Sequence, residues 1–70
     1  MISDVKFSFG SLHIVLAAGG ELSAPLARFP RLLNANEKQR SNWRLIGGGI
    51  GIHWPEVDED ISVESLLAKE

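Results

Sequence analysis

The chain has 70 residues, no cysteine, 44% hydrophobic residues and a formal net charge of −2. These values exclude a disulfide framework and a cysteine-based zinc site, and the hydrophobic fraction argues against a disordered segment. No apolar run approaches the roughly 20 residues needed to span a membrane, and the start Met1-Ile-Ser-Asp-Val-Lys6 lacks the pattern of a secretory leader. The expectation is one small domain over residues 1–70, cytoplasmic, with a packed core or a partner surface in place of covalent staples.

Val5 to Phe9 alternates apolar and polar residues, the period of a half-buried strand. Gly10-Ser11 marks a turn. Leu12 to Ala17, β-branched in its middle, reads as a second strand. Gly19-Gly20 suits a tight hairpin, and Glu21 to Ala24 reads as a third strand stopped by Pro25. Leu26, Phe29, Leu32 and Leu33 have helical spacing, with Pro30 tolerated only in a first turn. Asn36 followed by Gln39 has the form of a capping box, so Glu37 to Ser41 reads as one more helical turn.

Trp43 to Trp54 has two apolar halves joined by Gly47-Gly48-Gly49. It reads as one long strand bent at the glycines, where backbone or partner can approach closely. Ser62 is placed to cap a short helix whose apolar face is Val63, Leu66 and Leu67. The expected class is therefore α+β: a small antiparallel sheet of about four strands, made of a three-stranded N-terminal meander and the bent glycine-rich strand, with two or three short helices. Trp43 and Trp54 are expected in the core with Phe29, Leu32, Leu45 and Ile52.

Charge is uneven along the chain. Residues 1–50 carry six Lys/Arg against three Asp/Glu, a net +3; residues 51–70 carry one Lys against six acids, a net −5. This predicts one basic face and one acidic face. The basic set is Arg28, Arg31, Lys38, Arg40 and Arg44. The acidic set is Glu56, Asp58, Glu59, Asp60 and Glu64. The acids of Asp58 to Asp60 also have a plain structural reading, as partners of the positive end of the helix that follows.

No motif supports a reaction. Gly47 to Gly51 lacks the last glycine of a dinucleotide fingerprint and the Gly-Lys-Ser/Thr of a phosphate loop. His53 near Glu56, Asp58 and Asp60 has the neighbours of a general base, but no serine lies in a nucleophile turn. His13 and His53 are too far apart in sequence to suggest a shared metal. Asp58 to Ser62 begins like a calcium loop, yet Val63 stands where the glycine is needed and Lys69 where the bidentate acid is needed. No catalytic residue, metal or cofactor is expected.

Three blocks carry a family resemblance: F-P-R-L-L-N-A at Phe29–Ala35, Arg40-x-x-Trp43, and G-G-I-G-I-H-W-P-E-V-D-E-D-I-S-V-E-S-L-L at Gly48–Leu67. In these the chain resembles the bacterial family catalogued as domain of unknown function 2442. It departs from the family at Ala18-Gly19, where an Asp-Gly hairpin is usual, and at Ser65. The resemblance implies a small α+β fold and a regulatory or antitoxin-like role, because members occur alone, fused to helix-turn-helix domains, or beside short genes that look like toxin partners. It implies no active site.

The functional expectation is a non-catalytic protein-interaction module that binds stoichiometrically, antitoxin-like or regulatory, with another protein such as a toxin as its partner. The alternative is a phage or mobile-element inhibitor of a nucleic-acid-binding defence complex, anti-CRISPR-like, whose acidic set mimics phosphates. A weaker alternative is an accessory nucleic-acid-binding domain acting through the basic set; the overall acidity disfavours it. No membrane partner is expected, and a homodimer is left open.

Overall fold

The computed structural model describes residues 1–67; Lys69 lies outside them. Ile2–Ser8 (β1), Ser11–Leu16 (β2) and Gly20–Pro25 (β3) form an antiparallel meander in the order β1-β2-β3. The β1–β2 turn places Phe9 and Gly10 at φ 50° and 74°, the geometry of a two-residue hairpin loop. A bulge between Ile2 and Asp4 leaves Ser3 out of the β1–β2 register, so that Ile2 still faces inward.

Leu26 does not begin an α-helix. Leu26–Arg28 makes a single 3-10 turn, and a short helix α1 (Pro30–Leu33) starts afresh with Pro30 in its first turn, because proline supplies no N–H to the preceding turn. The apolar spacing read from the sequence survives this break: Leu26 and Leu32 are buried and Phe29 packs beside them, while Leu33 points outward. Helix α2 (Glu37–Ser41) has the expected capping box. Asn36 Oδ1 accepts from Gln39 N–H at 2.7 Å, and Gln39 Oε1 accepts from Asn36 N–H at 3.0 Å.

The glycine-rich segment differs from a bent strand. Arg44–Ile46 (β4) and Gly51–Trp54 (β5) pair as an antiparallel hairpin, and the glycines are its loop. Gly47, Gly48 and Gly49 all have positive φ, at 57°, 75° and 120°, so the chain reverses rather than bends. Gly49 meets the start of β1: its carbonyl accepts from Ile2 N–H at 2.8 Å, and a Cβ there would lie 3.0 Å from the Ile2 nitrogen. A third strand, Glu59–Ser62 (β6), pairs with β5, giving a second sheet of order β4-β5-β6 and six strands in place of about four. The acids of Asp58 to Asp60 therefore do not sit at a helix start. Helix α3 (Val63–Leu67) follows β6, and only Glu64 of the set lies in its first turn. Ser62 Oγ accepts from Ser65 N–H at 3.0 Å, the expected cap.

Both sheets turn one face to a single core of Ile2, Val5, Leu12, Ile14, Leu26, Leu32, Ile52, Trp54 and Ile61. Trp54 is fully buried, its indole N–H donating to the Arg40 carbonyl at 3.0 Å and its ring meeting Phe7 edge-on at 6.4 Å. Trp43 is half-buried against this core. Leu45 is 39% exposed, because β4 is an edge strand of only three residues with no strand paired on its outer side among the described residues. The α+β class is as expected. No helix among the described residues is long and apolar enough to cross a membrane.

Candidate functional site

The second sheet buries Ile52, Trp54 and Ile61 and turns its other face outward. Strand register fixes what stands there. Arg44 lies opposite His53, and His53 opposite Asp60, so three charged or titratable side chains form one row across β4, β5 and β6. His53 Nδ1 and Asp60 Oδ1 are in direct hydrogen-bonded contact. The next row is Ile46, Gly51 and Ser62, with Ile46 lying over Gly51. Beyond it, at the glycine end of the sheet, Ile50 and Leu67 are more than half exposed. They line a shallow concavity of about 580 Å³ together with Met1, Val63, Ser62 and Glu64. An aliphatic patch thus adjoins a charged row on one continuous surface, the arrangement of an interface centre with a polar rim.

The fold disperses the acidic set. Asp60 and Glu64 border this surface. Glu56 sits in the β5–β6 turn, where its carboxylate accepts from Asn42 Nδ2 at 2.9 Å. Asp58 occupies the same turn with φ 54°; Arg31 Nη1 donates to its carbonyl at 2.6 Å and stands 3.9 Å from its carboxylate. Glu59 is half-buried on the inward-facing side of β6, in line with Ile61.

The basic set is divided as well. Arg28 lies over the Phe29 ring at 5.8 Å. Arg40 is structural: Nε and Nη2 donate to the Leu32 and Leu33 carbonyls, both at 2.9 Å, and the guanidinium stacks on Phe7 at 5.7 Å. Lys38 lies in the last turn of α2, and Arg44 joins the row with His53 and Asp60. The basic and acidic segments therefore meet, at Arg31–Asp58 and across the second sheet, rather than forming two separate faces.

His13 carries a network that no local motif announces. On the outer face of the first sheet, Nε2 lies 2.9 Å from Ser8 Oγ; Nδ1 lies 2.9 Å from Ser23 Oγ and 3.4 Å from Glu21 Oε2. Strand alternation is the only signal for it, since register places Lys6, His13 and Ser23 in one row. The order hydroxyl, imidazole, carboxylate is that of a nucleophile set. Here Nδ1 is shared between two acceptors or donors, and the group stands on an open sheet where water solvates it, so its plain role is to satisfy a half-buried imidazole. His13 and His53 lie on different sheets, each with its own partners.

The molecule is thus a small α+β domain in which two three-stranded antiparallel sheets share one core, with an exposed mixed face on the second sheet. By sequence it belongs to the family described as Protein of unknown function (DUF2442), which it matches over residues 2–70. Neither a curated protein nor a solved structure matches the chain.

Proposed function

We propose that the protein is a non-catalytic interaction module of the cytoplasm that binds another protein stoichiometrically, in its most specific form as the antitoxin-like or regulatory partner of a small protein. The observation that carries this reading is the outer face of the second sheet. Ile46, Ile50 and Leu67 stand exposed beside the Arg44–His53–Asp60 row, in a chain too small to leave aliphatic surface uncovered without cost.

The test is reconstitution. A photo-crosslinking residue at Ile50 captures the contacting protein in the native cells; both proteins are then purified and titrated by calorimetry. A fixed stoichiometry is expected, and Ile50→Asp should weaken binding at least about tenfold while leaving the melting temperature unchanged. Binding by Ile50→Asp as tight as wild type, or failure of every captured protein to rebind, would overturn the reading.

A second reading is an inhibitor that mimics nucleic-acid phosphates. It draws on the exposure of Asp58 and Asp60, whose side chains are 91% and 68% accessible. Arg31 beside Asp58 opposes it, since the guanidinium offsets the negative potential such mimicry needs, and the Asp60 carboxylate is already engaged by His53.

A further inference from the structure

The outward row Arg44, His53, Asp60 is ordered so that its ends carry opposite charge. His53 stands on the central strand β5, Arg44 on β4 and Asp60 on β6. Arg44 is exposed and takes part in no ion pair among the described residues. The Asp60 side chain is 68% accessible, and His53 engages its Oδ1, which leaves Oδ2 for a second donor. The adjacent row has one aliphatic side chain. Ile46 on β4, 39% exposed, leans over Gly51 toward the middle of the sheet, and Ser62 stands at the β6 end. Sheets that pack face to face lie about 10 Å apart with their strands nearly aligned. A two-fold axis between two such faces runs either across the strands or along them. An axis across the strands sets β4 against β4 and β6 against β6. Arg44 would then look for an acid on β4, and Asp60 for a base on β6, and these strands supply neither. An axis along the strands, lying over β5, sets β4 against β6.

We propose that the outer face of the second sheet packs on the same face of a second copy, about a two-fold axis along β5. The proposal rests on the reading of this face as a binding surface, and it names what covers the face when no other protein does. A two-fold axis along the strands brings each row against itself, reversed. Arg44 then faces Asp60 of the second copy and Asp60 faces its Arg44, giving two ion pairs from one row. The neighbouring row fits the same axis. Gly51 has no side chain, so a space is left between the two central strands, and the Ile46 of each copy enters it from opposite sides. The two isoleucines meet across the axis and are covered together. The contact is isologous and closes at two copies. Its three strands have three, four and four residues, a face well below the roughly 800 Å² per partner of a standard interface. The dimer is therefore weak, and another protein binding the same face displaces the second copy.

Sedimentation of the full chain from micromolar to millimolar concentration tests the proposal, with Arg44→Asp, Asp60→Arg and the double variant run in parallel. Each single variant turns both ion pairs into like-charge contacts and should weaken the dimer at least about tenfold. The double variant restores opposite charges and should recover it. Isotope-filtered NMR on a mixture of labelled and unlabelled wild-type chain supplies a measurement that no folding defect can confound: contacts should appear between the Ile46 methyls of two copies. A wild-type chain monomeric at millimolar concentration, a dimer indifferent to the single reversals, a double variant no better than the singles, or the absence of Ile46 contacts between copies would each overturn the proposal. The titration of the captured protein with Ile50→Asp separates this proposal from the earlier reading. A monomeric chain that loses the captured protein through Ile50→Asp removes the dimer alone. A dimer with these contacts, whose captured protein binds Ile50→Asp as tightly as wild type, removes the earlier reading and leaves the second copy as the occupant of the face.

Discussion

Replacing Gly49 with alanine should cost far more than the same change one residue earlier. Gly48 has φ +75°, and a Cβ there would meet only the Met1 Cε at 3.9 Å. Its cost is the left-handed backbone alone, about 1–2 kcal/mol. Gly49 has φ +120°, which L side chains rarely adopt, and its Cβ would fall 3.0 Å from the Ile2 nitrogen and 3.1 Å from the Ile2 oxygen. Those atoms are backbone and cannot swing aside. Relief requires the loop to withdraw, which breaks the Ile2 N–H to Gly49 carbonyl bond of 2.8 Å. Strain of about 1–3 kcal/mol and a lost hydrogen bond of about 0.5–1.5 kcal/mol together place Gly49→Ala at about 2–4 kcal/mol. For a domain of this size each kcal/mol moves the melting temperature by about 4–8 °C. Urea titration of both variants, read by far-ultraviolet circular dichroism, gives the comparison directly. Equal stability of Gly48→Ala and Gly49→Ala, within about 0.5 kcal/mol, would refute the claim that the glycine loop is locked to β1 by close backbone approach.

Trp54→Ala should lose about 3–5 kcal/mol, close to the whole stability of a small domain, and Trp54→Phe should lose less; chemical denaturation measures both. Arg40→Lys should destabilise by about 1–2 kcal/mol despite keeping the charge, because lysine cannot donate in a fork to the Leu32 and Leu33 carbonyls while stacking on Phe7; an unchanged urea midpoint would count against that account. The Asp58→Lys, Glu59→Lys double variant should weaken binding most at low salt if the acidic turn meets a basic partner, whereas loss of stability with unchanged affinity would assign these residues to the fold.

Local rules carried the sequence reading as far as they apply. The capping box at Asn36–Gln39, the Ser62 cap, the meander and the burial of Trp54 each depend on a few adjacent residues or on strand period. The glycine segment shows where such rules stop. Three consecutive glycines are compatible with a bend or with a reversal, and the choice depends on β6 pairing with β5 and on Ile2 receiving the Gly49 carbonyl, both long-range events. The same reversal moved Leu45 to an exposed edge and Asp58 to a turn. Charge blocks in sequence did not become charge faces, because antiparallel register placed Arg44, His53 and Asp60 in one row although they come from three strands. His13 was hidden for the same reason: its nearest partners lie five and ten residues away and meet it only across the sheet.

The glycine loop also links stability to the proposed binding face. Gly49 anchors the loop to β1, and the next residue, Ile50, accepts at its carbonyl from Val63 N–H at 3.0 Å, which fixes the start of α3. The Ile50 side chain is thereby held outward, over Gly47 and beside Leu67, by backbone contacts on both sides of it. An exposed aliphatic residue on a mobile loop loses conformational freedom when a partner covers it; one held by two hydrogen-bonded neighbours loses less. Gly49→Ala should therefore weaken partner binding as well as folding, through disorder of Ile50. Ile50→Asp should weaken binding alone, because the Ile50 main chain and its bond to Val63 are left in place. The two variants together separate a surface that binds because it is held rigid from one that is merely exposed: Gly49→Ala binding as tightly as wild type at a temperature where it is folded, while Ile50→Asp binds weakly, would leave the rigidity without a role.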